Sequence, residues 1–400
     1  MQNKALIFLA GLFLAVSCLN MGDPYADGEL NTLTVQAVYP EGMAARGGAG
    51  VSIENIAGSV TYTLVTDASA RAETRLPNGL YRVIVRDREG ENVFNGTSDK
   101  VLVNGSDVQL TLQLKHSKAG ALVIKELYTG GCSKAPEEGT WQSDSYVIIH
   151  NNSVETIFLD GLCMGTLSPY NATGVNHWKA ADGSLPKDFL PITQAVLMIP
   201  GQGEDFPLAP GADAVVCLRG AIDHTQQYPL SVNLNKPDYF VCYSPTLFPN
   251  PTYHPAPGDQ ISPQRYLNIV IKTGIANAYT ISNASPTFVL FRAKGTDIRT
   301  FVQDNANIPQ EPGSSDKAVA VPPDWVIDAV EVFDGRSSGN AKRLIDVLDA
   351  GYVTLSEPFK SHTLMRKTDA AATQANGYEV LQDTNNSSED FYERETQSLH

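Results

Sequence analysis

Leu76-Pro77-Asn78-Gly79-Leu80-Tyr81-Arg82-Val83-Ile84-Val85-Arg86 reads as a turn running into a strand. Pro, Asn and Gly supply the turn, and the residues after Gly79 follow the two-residue period of a half-buried strand. The same period recurs at 32–38 (TLTVQAV), 51–56 (VSIENI), 60–66 (VTYTLVT) and 108–114 (VQLTLQL), with Gly47-Gly48 and Asn104-Gly105 as further turn signals. No segment among them has helical spacing, so residues 30–116 are expected to form a β-sandwich. Strand patterns continue at 122–128, 146–150, 156–162, 194–200, 214–218, 239–243, 267–272, 287–292 and 325–333, with a turn at Leu208-Ala209-Pro210-Gly211. These predict a second, larger sandwich over 120–400, and an all-β chain. One short helix is expected around Ala341–Asp349, where Leu344, Val347 and Leu348 share one helical face.

The 400 residues are 42% hydrophobic and 18% charged, enough apolar material for two cores and too much for global disorder. The net charge of −15 repels phosphate backbones and argues against nucleic-acid partners.

The N-terminus supplies an address. Lys4 precedes an apolar run from Ala5 to Val16, too short to span a bilayer and suited to a signal peptide over 1–17. The run ends Leu14-Ala15-Val16-Ser17-Cys18, which resembles the lipobox of bacterial lipoproteins, with Leu14 one place earlier than the usual pattern. Cys18 is therefore expected to be the acylated mature N-terminus, and residues 18–29 a flexible tether. Asp23, Asp27 and Glu29 read either as a surface-export signal or as a solvated linker. The implied location is the outer membrane, lipid-anchored, with the facing left open.

Two stretches resemble known families. Thr66-Asp67 ahead of Leu76–Val83 resembles the carboxypeptidase-regulatory-like, transthyretin-type sandwich, in which a Thr-Asp turn precedes a Leu-Pro-x-Gly-x-Tyr hairpin. Where that pattern carries a glycine after the Asp, this chain has Ala68-Ser69-Ala70. Glu126 to Tyr128, Asn151 to Ser153, Leu159 to Gly161, Leu208 to Gly211, and Asp383-Thr384-Asn385-Asn386-Ser387-Ser388-Glu389-Asp390-Phe391 follow the order of the lamin-tail domain, an immunoglobulin-like sandwich. Taken together, residues 30–400 resemble a family of bacterial outer-membrane lipoproteins known as domain of unknown function 4876. The resemblance implies modules that display or support.

Long insertions at 163–193, 219–265 and 293–323 depart from a plain lamin-tail domain. They are rich in Pro, Tyr, Asn and Gly, and loops of that length are usually functional or disordered. Tyr239, Tyr243, Tyr253 and Tyr266 either pack the second insertion onto the sheets or present aromatic contacts. His177, Trp178, Tyr253 and His254 are the candidate ligand contacts, and Tyr81 is read as a core tyrosine.

The seven histidines form no His-x-His or His-x-x-x-His pair, there is no Asp-x-Asp-x-Asp-Gly loop, and no Gly-x-Ser-x-Gly elbow appears. No metal, cofactor or catalytic residue is assigned, and Cys132, Cys163, Cys217 and Cys242 are read as buried thiols, with disulfide pairing left open. The expected role is a binding or accessory module, not an enzyme, held to the membrane by its lipid. A TonB-dependent outer-membrane transporter or another cell-surface protein is the expected partner. A secreted hydrolase whose carboxylates meet only in three dimensions, or a purely adhesive surface protein, are the alternatives.

Overall fold

The computed structural model describes residues 30–58, 60–89 and 92–400, so the signal peptide, Cys18 and the tether lie outside the described residues. The first sandwich packs a three-stranded sheet (Arg71–Leu76, Asn31–Val38, Val108–Gln113) on a five-stranded one. The latter runs Thr61–Val65, Gly50–Asn55, Gly79–Glu89, Asn92–Val103, Lys115–Lys118. Leu33, Val35 and Ala37 alternate into the core opposite Val51, Ile53, Val83 and Val85. Tyr81 is fully buried there and its hydroxyl donates to Pro77 O at 2.9 Å, closing the turn that precedes it.

Strands Arg71–Leu76 and Asn92–Val103 are additions to the sequence reading. The first buries only small side chains besides Leu76, and the second carries Asn, Gly, Ser, Asp and Lys that mask its alternation. At the Thr-Asp turn, Asp67 Oδ1 accepts from the backbone of Ser69 and Arg71, and Ala70 sits at φ 59°. Ala70 thus takes the left-handed position that a glycine would occupy without strain.

In the second sandwich one sheet runs Phe240–Val241, Asp213–Cys217, Tyr146–Asn151, Leu122–Tyr128, Thr363–Arg366, Phe391–Arg394. The facing sheet runs Asn268–Lys272, Leu190–Met198, Cys163–Leu167, Thr287–Phe291, Val326–Asp334, Val353–Leu355, with Val319–Val321 beside Leu190–Met198. The chain is therefore all-β and sandwich-built, as its periodicity predicts. Both faces of these sheets are buried. Val147 and Ile149 point into the central core, whereas Tyr146 and Ile148 point outward under the 219–265 insertion. Phe288 and Leu290 face the same central core, while Val289 and Phe291 lie beneath Ile298, Phe301 and Trp325. Continuous apolar strands such as Thr287–Phe291 follow from this double burial.

The helix expected at Ala341–Asp349 does not form. Glu331 captures the segment instead. Its carboxylate accepts from the backbone of Arg343 (2.7 Å) and Leu344 (2.9 Å), and from the Arg343 guanidinium at 2.6 Å. Leu344 enters the core under the 293–323 insertion. Two intramolecular partners for a fully buried carboxylate outweigh the helical propensity of so short a segment.

Several of the motifs that resemble the lamin-tail order are engaged within the fold. Asn151 bridges Glu155 O and Leu208 O, and Asp160 accepts from the backbone of Gly203, Asp205 and Phe206. The final motif wraps a buried cation: Arg366 lies 2.5 Å from Asp328, 3.4 Å from Asp383 and 3.5 Å from Asp390, over the ring of Phe391. The Asp383–Phe391 segment is a turn and a short helix (Ser387–Asp390) leading into the last strand.

This same segment meets the first sandwich. Arg86 pairs with Glu389, Asn95 Nδ2 donates to Thr384 O, and the Arg82 guanidinium lies over the Tyr352 ring. Ile84 is buried on the outward side of its sheet.

Candidate functional site

The 219–265 insertion folds as a cap with a polar interior. His254, proposed from sequence as a ligand contact, is buried at 3% exposure, which corrects that reading. Its Nε2 accepts from the Tyr279 N–H at 2.9 Å, its Nδ1 lies 3.1 Å from Cys242 O, and its ring stacks on Phe248. Desolvation brings its pKa down to about 4, so the imidazole is neutral and holds the cap in place. His224 is likewise pushed down by burial, accepting from Trp141 Nε1 at 3.1 Å and facing Gly220 O at 2.8 Å. Tyr239, Tyr243 and Tyr266 pack on the sheet beneath, and Tyr253 remains 43% exposed. Most of this insertion's tyrosines therefore serve as packing.

The 163–193 insertion behaves differently. His177 is exposed, and Trp178 is half-buried edge-on to Phe189, with Nε1 making no hydrogen bond. No hydrogen bond or ring contact joins His177 and Trp178 to Tyr253 and His254 among the described residues, so the four do not form one contact surface. The insertion is tied to the 341–349 segment by the Ala341 N–H donating to Ala172 O at 2.8 Å.

Between those two segments and the last strand of the first sandwich lies a cleft of about 450 Å³. Leu185, Ile345 and Val347 are its half-buried apolar lining, and Lys115 and Lys187 stand on its walls with Ser184 and Asp346. Asp346 is 3.1 Å from Lys342, which offsets its charge. The cleft thus offers aliphatic surface beside two lysines, Lys187 near enough to Asp182 to act on its carboxyl, on a chain that is strongly acidic overall. Sequence reasoning missed all of these residues, because three separate stretches contribute them and only the insertion was marked as a site.

Two smaller hollows are more polar. One, of about 300 Å³, lies among Asp160, Gly201, Arg292 and Arg299, but Asp160 is already saturated by backbone donors. The other, of about 290 Å³, is lined by Asp205, Phe206, Asp238 and Arg265, whose guanidinium fills the space over Phe206 and Phe240. Cys132, Cys163, Cys217 and Cys242 are unpaired and buried; burial lifts the first two to about 12, so they stay protonated thiols. Among the described residues no group of His, Cys, Asp or Glu is arranged to hold a metal ion.

A family model described as "Protein of unknown function (DUF4876)" matches residues 209–398. That span holds the cap, the buried Arg366 cluster and the closing Asp383–Phe391 motif. Residues 209–398 belong to the DUF4876 family. The crystal structure of a DUF4876 family protein from Bacteroides thetaiotaomicron VPI-5482 shares the fold over 92% of this chain and 96% of its own, with TM-score 0.58 and 23% identity. A DUF3823 family protein from Parabacteroides merdae ATCC 43184 overlaps 36% of this chain and 69% of its own, at 11% identity and TM-score 0.19. No curated protein matches. Asn151, Asp160 and the Asp383–Phe391 segment are engaged in hydrogen bonds and ion pairs within the fold, and the cleft at Leu185 and Ile345 is an accessible concave surface with mixed chemistry.

Proposed function

We propose that the protein is a lipid-anchored surface module that binds an amphipathic acidic ligand in the cleft between the 163–193 insertion and the 341–349 segment. The observation that carries this reading is the pairing of Leu185, Ile345 and Val347 with Lys115 and Lys187 in one concavity. An aliphatic body desolvates against the first three, at ~25 cal/mol per Å² buried, while the ammonium groups favour an acidic head. The sheet faces are occupied by core packing, so recognition falls to the insertions. Dodecanoate is a suitable probe for the full chain. Lys187→Glu combined with Leu185→Asp is expected to weaken its binding at least ~10-fold, equivalent to ~1.4 kcal/mol, with the melting temperature nearly unchanged. Binding that survives the double variant, measured by calorimetry, places the ligand elsewhere.

The anchor is the thioether-linked lipid on Cys18, which also makes docking beside an outer-membrane transporter the natural use of such a module. Cys18→Ala is expected to leave the chain unprocessed or released from membranes. Fractionation of the variant with membranes at the wild-type level would remove the lipid from the account.

A further inference from the structure

The edges of the first sandwich differ in chemistry. Arg71–Leu76 carries the exposed charges Arg71, Glu73 and Arg75, and Lys115–Lys118 has lysine at both ends. Charges on an edge discourage another chain from adding a strand. Thr61-Tyr62-Thr63-Leu64-Val65, the opposite edge of the five-stranded sheet, has no charge and no proline, and the same holds for Val108–Gln113 at the far edge of the three-stranded sheet.

Its free side is set by register. Ser52 opposes Thr63 and Gly50 opposes Val65, while the Asn55 N–H donates to Val60 O and the Thr66 N–H to Ala49 O. Antiparallel pairs alternate between hydrogen-bonded and non-hydrogen-bonded positions. Tyr62 and Leu64 therefore bond inward to Gly50–Asn55, and the main-chain groups of Thr61, Thr63 and Val65 point outward. All three residues are exposed, Val65 at 64%.

We infer that Thr61–Val65 pairs antiparallel with the same strand of a second copy of this chain, about a two-fold axis at Thr63. The edge is self-complementary in that register. Thr63 opposes Thr63 and Thr61 opposes Val65, each pair exchanging both main-chain hydrogen bonds. Tyr62 opposes Leu64 at the closer non-hydrogen-bonded position, on the side where both lean on the core. Thr–Thr, β-branched and aromatic–aliphatic cross-strand pairs are favourable, and no like charges meet. The isologous contact closes at two copies and joins the two five-stranded sheets into one. So short an edge makes a small, reversible interface, distinct from the cleft at Leu185 and independent of what that cleft binds.

Cysteine cross-linking of the full chain in intact cells tests this. Opposed residues in a hydrogen-bonded antiparallel pair lie ~5.5 Å apart at Cα, within disulfide reach. Thr63→Cys is expected to give a reducible homodimer several-fold above Glu73→Cys, a control on the charged edge of the other sheet. Thr61→Cys with Val65→Cys should do the same. Equal yields at positions 63 and 73, or capture of a different protein at position 63, would overturn the inference. Should the cysteine variants accumulate poorly, Thr63→Pro keeps the test open, since proline there removes only an outward N–H. Wild type should sediment as a concentration-dependent dimer and Thr63→Pro as a monomer. A wild-type chain that stays monomeric at every concentration also overturns it.

Discussion

Replacing Arg366 by Met is expected to abolish the native second sandwich at neutral pH. Arg366 lies among Asp328, Asp383 and Asp390, all four nearly devoid of solvent contact. It also donates to Ile124 O at 2.7 Å and to Gln382 O at 3.1 Å, tying a central strand to the C-terminal segment. Removing one partner of a buried ion pair costs roughly 3–5 kcal/mol, because the opposite charge stays desolvated and uncompensated. Here three carboxylates are left behind, against a total stability of only ~5–15 kcal/mol for a typical domain. Circular dichroism and tryptophan fluorescence at pH 8 should report an unfolded or molten chain. Partial recovery is expected near pH 5, where protonation relieves the carboxylates. A variant that melts within a few degrees of wild type at pH 8 would show that the cluster is not held as described.

Asp328→Asn removes the carboxylate nearest Arg366 instead, and its effect should depend on pH. Burial lifts Asp328 to about 7, against the attraction of Arg366, and burial likewise raises Asp390. A carboxyl whose folded pKa lies above its unfolded value takes up its proton first in the native state. It favours folding at acid pH, and that contribution declines as pH rises from about 4 to about 7. Asparagine does not titrate, so the variant's deficit against wild type should be larger near pH 5 than near pH 8. The slope of the difference between those limits is at most ~1.4 kcal/mol per pH unit. His254 and His224 work the other way in both proteins. Held neutral by burial, they stabilise above pH 6.5 and cost stability as pH falls toward their depressed values. Asp349, Asp144 and Asp390, whose carboxyls burial also raises, remain in the variant and oppose the histidines there, so the comparison with wild type isolates Asp328. Urea denaturation at pH 5 and pH 8 gives the comparison. An equal penalty at both values would mean that Asp328 stays ionised throughout.

The strand periodicity was legible because most strands of the first sandwich are buried on one face only, as in the alternation of Leu33, Val35 and Ala37. The layered second sandwich was less so. Thr287–Phe291 and Tyr146–Asn151 lack alternation, because the insertions cover the outer faces as extra layers. Leu344, Val347 and Leu348 have the spacing of a helix, yet the side-chain carboxylate of Glu331, distant by 12 residues from Arg343, decides their path. Long-range capture of that kind leaves no local signature. The candidate contacts divide for a similar reason. His177 and Tyr253 are exposed as expected of loop residues, but the backbone partners that bury His254 lie at Cys242 and Tyr279. The cleft was illegible as a unit, since Lys115, Leu185 and Ile345 are neighbours only after both sandwiches have folded.

Hydrogen–deuterium exchange of the full chain, with and without dodecanoate, tests the claim that recognition lies in the inserted segments while the Asp383–Phe391 segment serves the fold. The account predicts slower exchange at residues 184–187 and 345–347 on ligand addition, with exchange over Asp383–Phe391 unchanged. Protection confined to the Asp383–Phe391 motif or to the cap around His254, with none at the cleft, would contradict it.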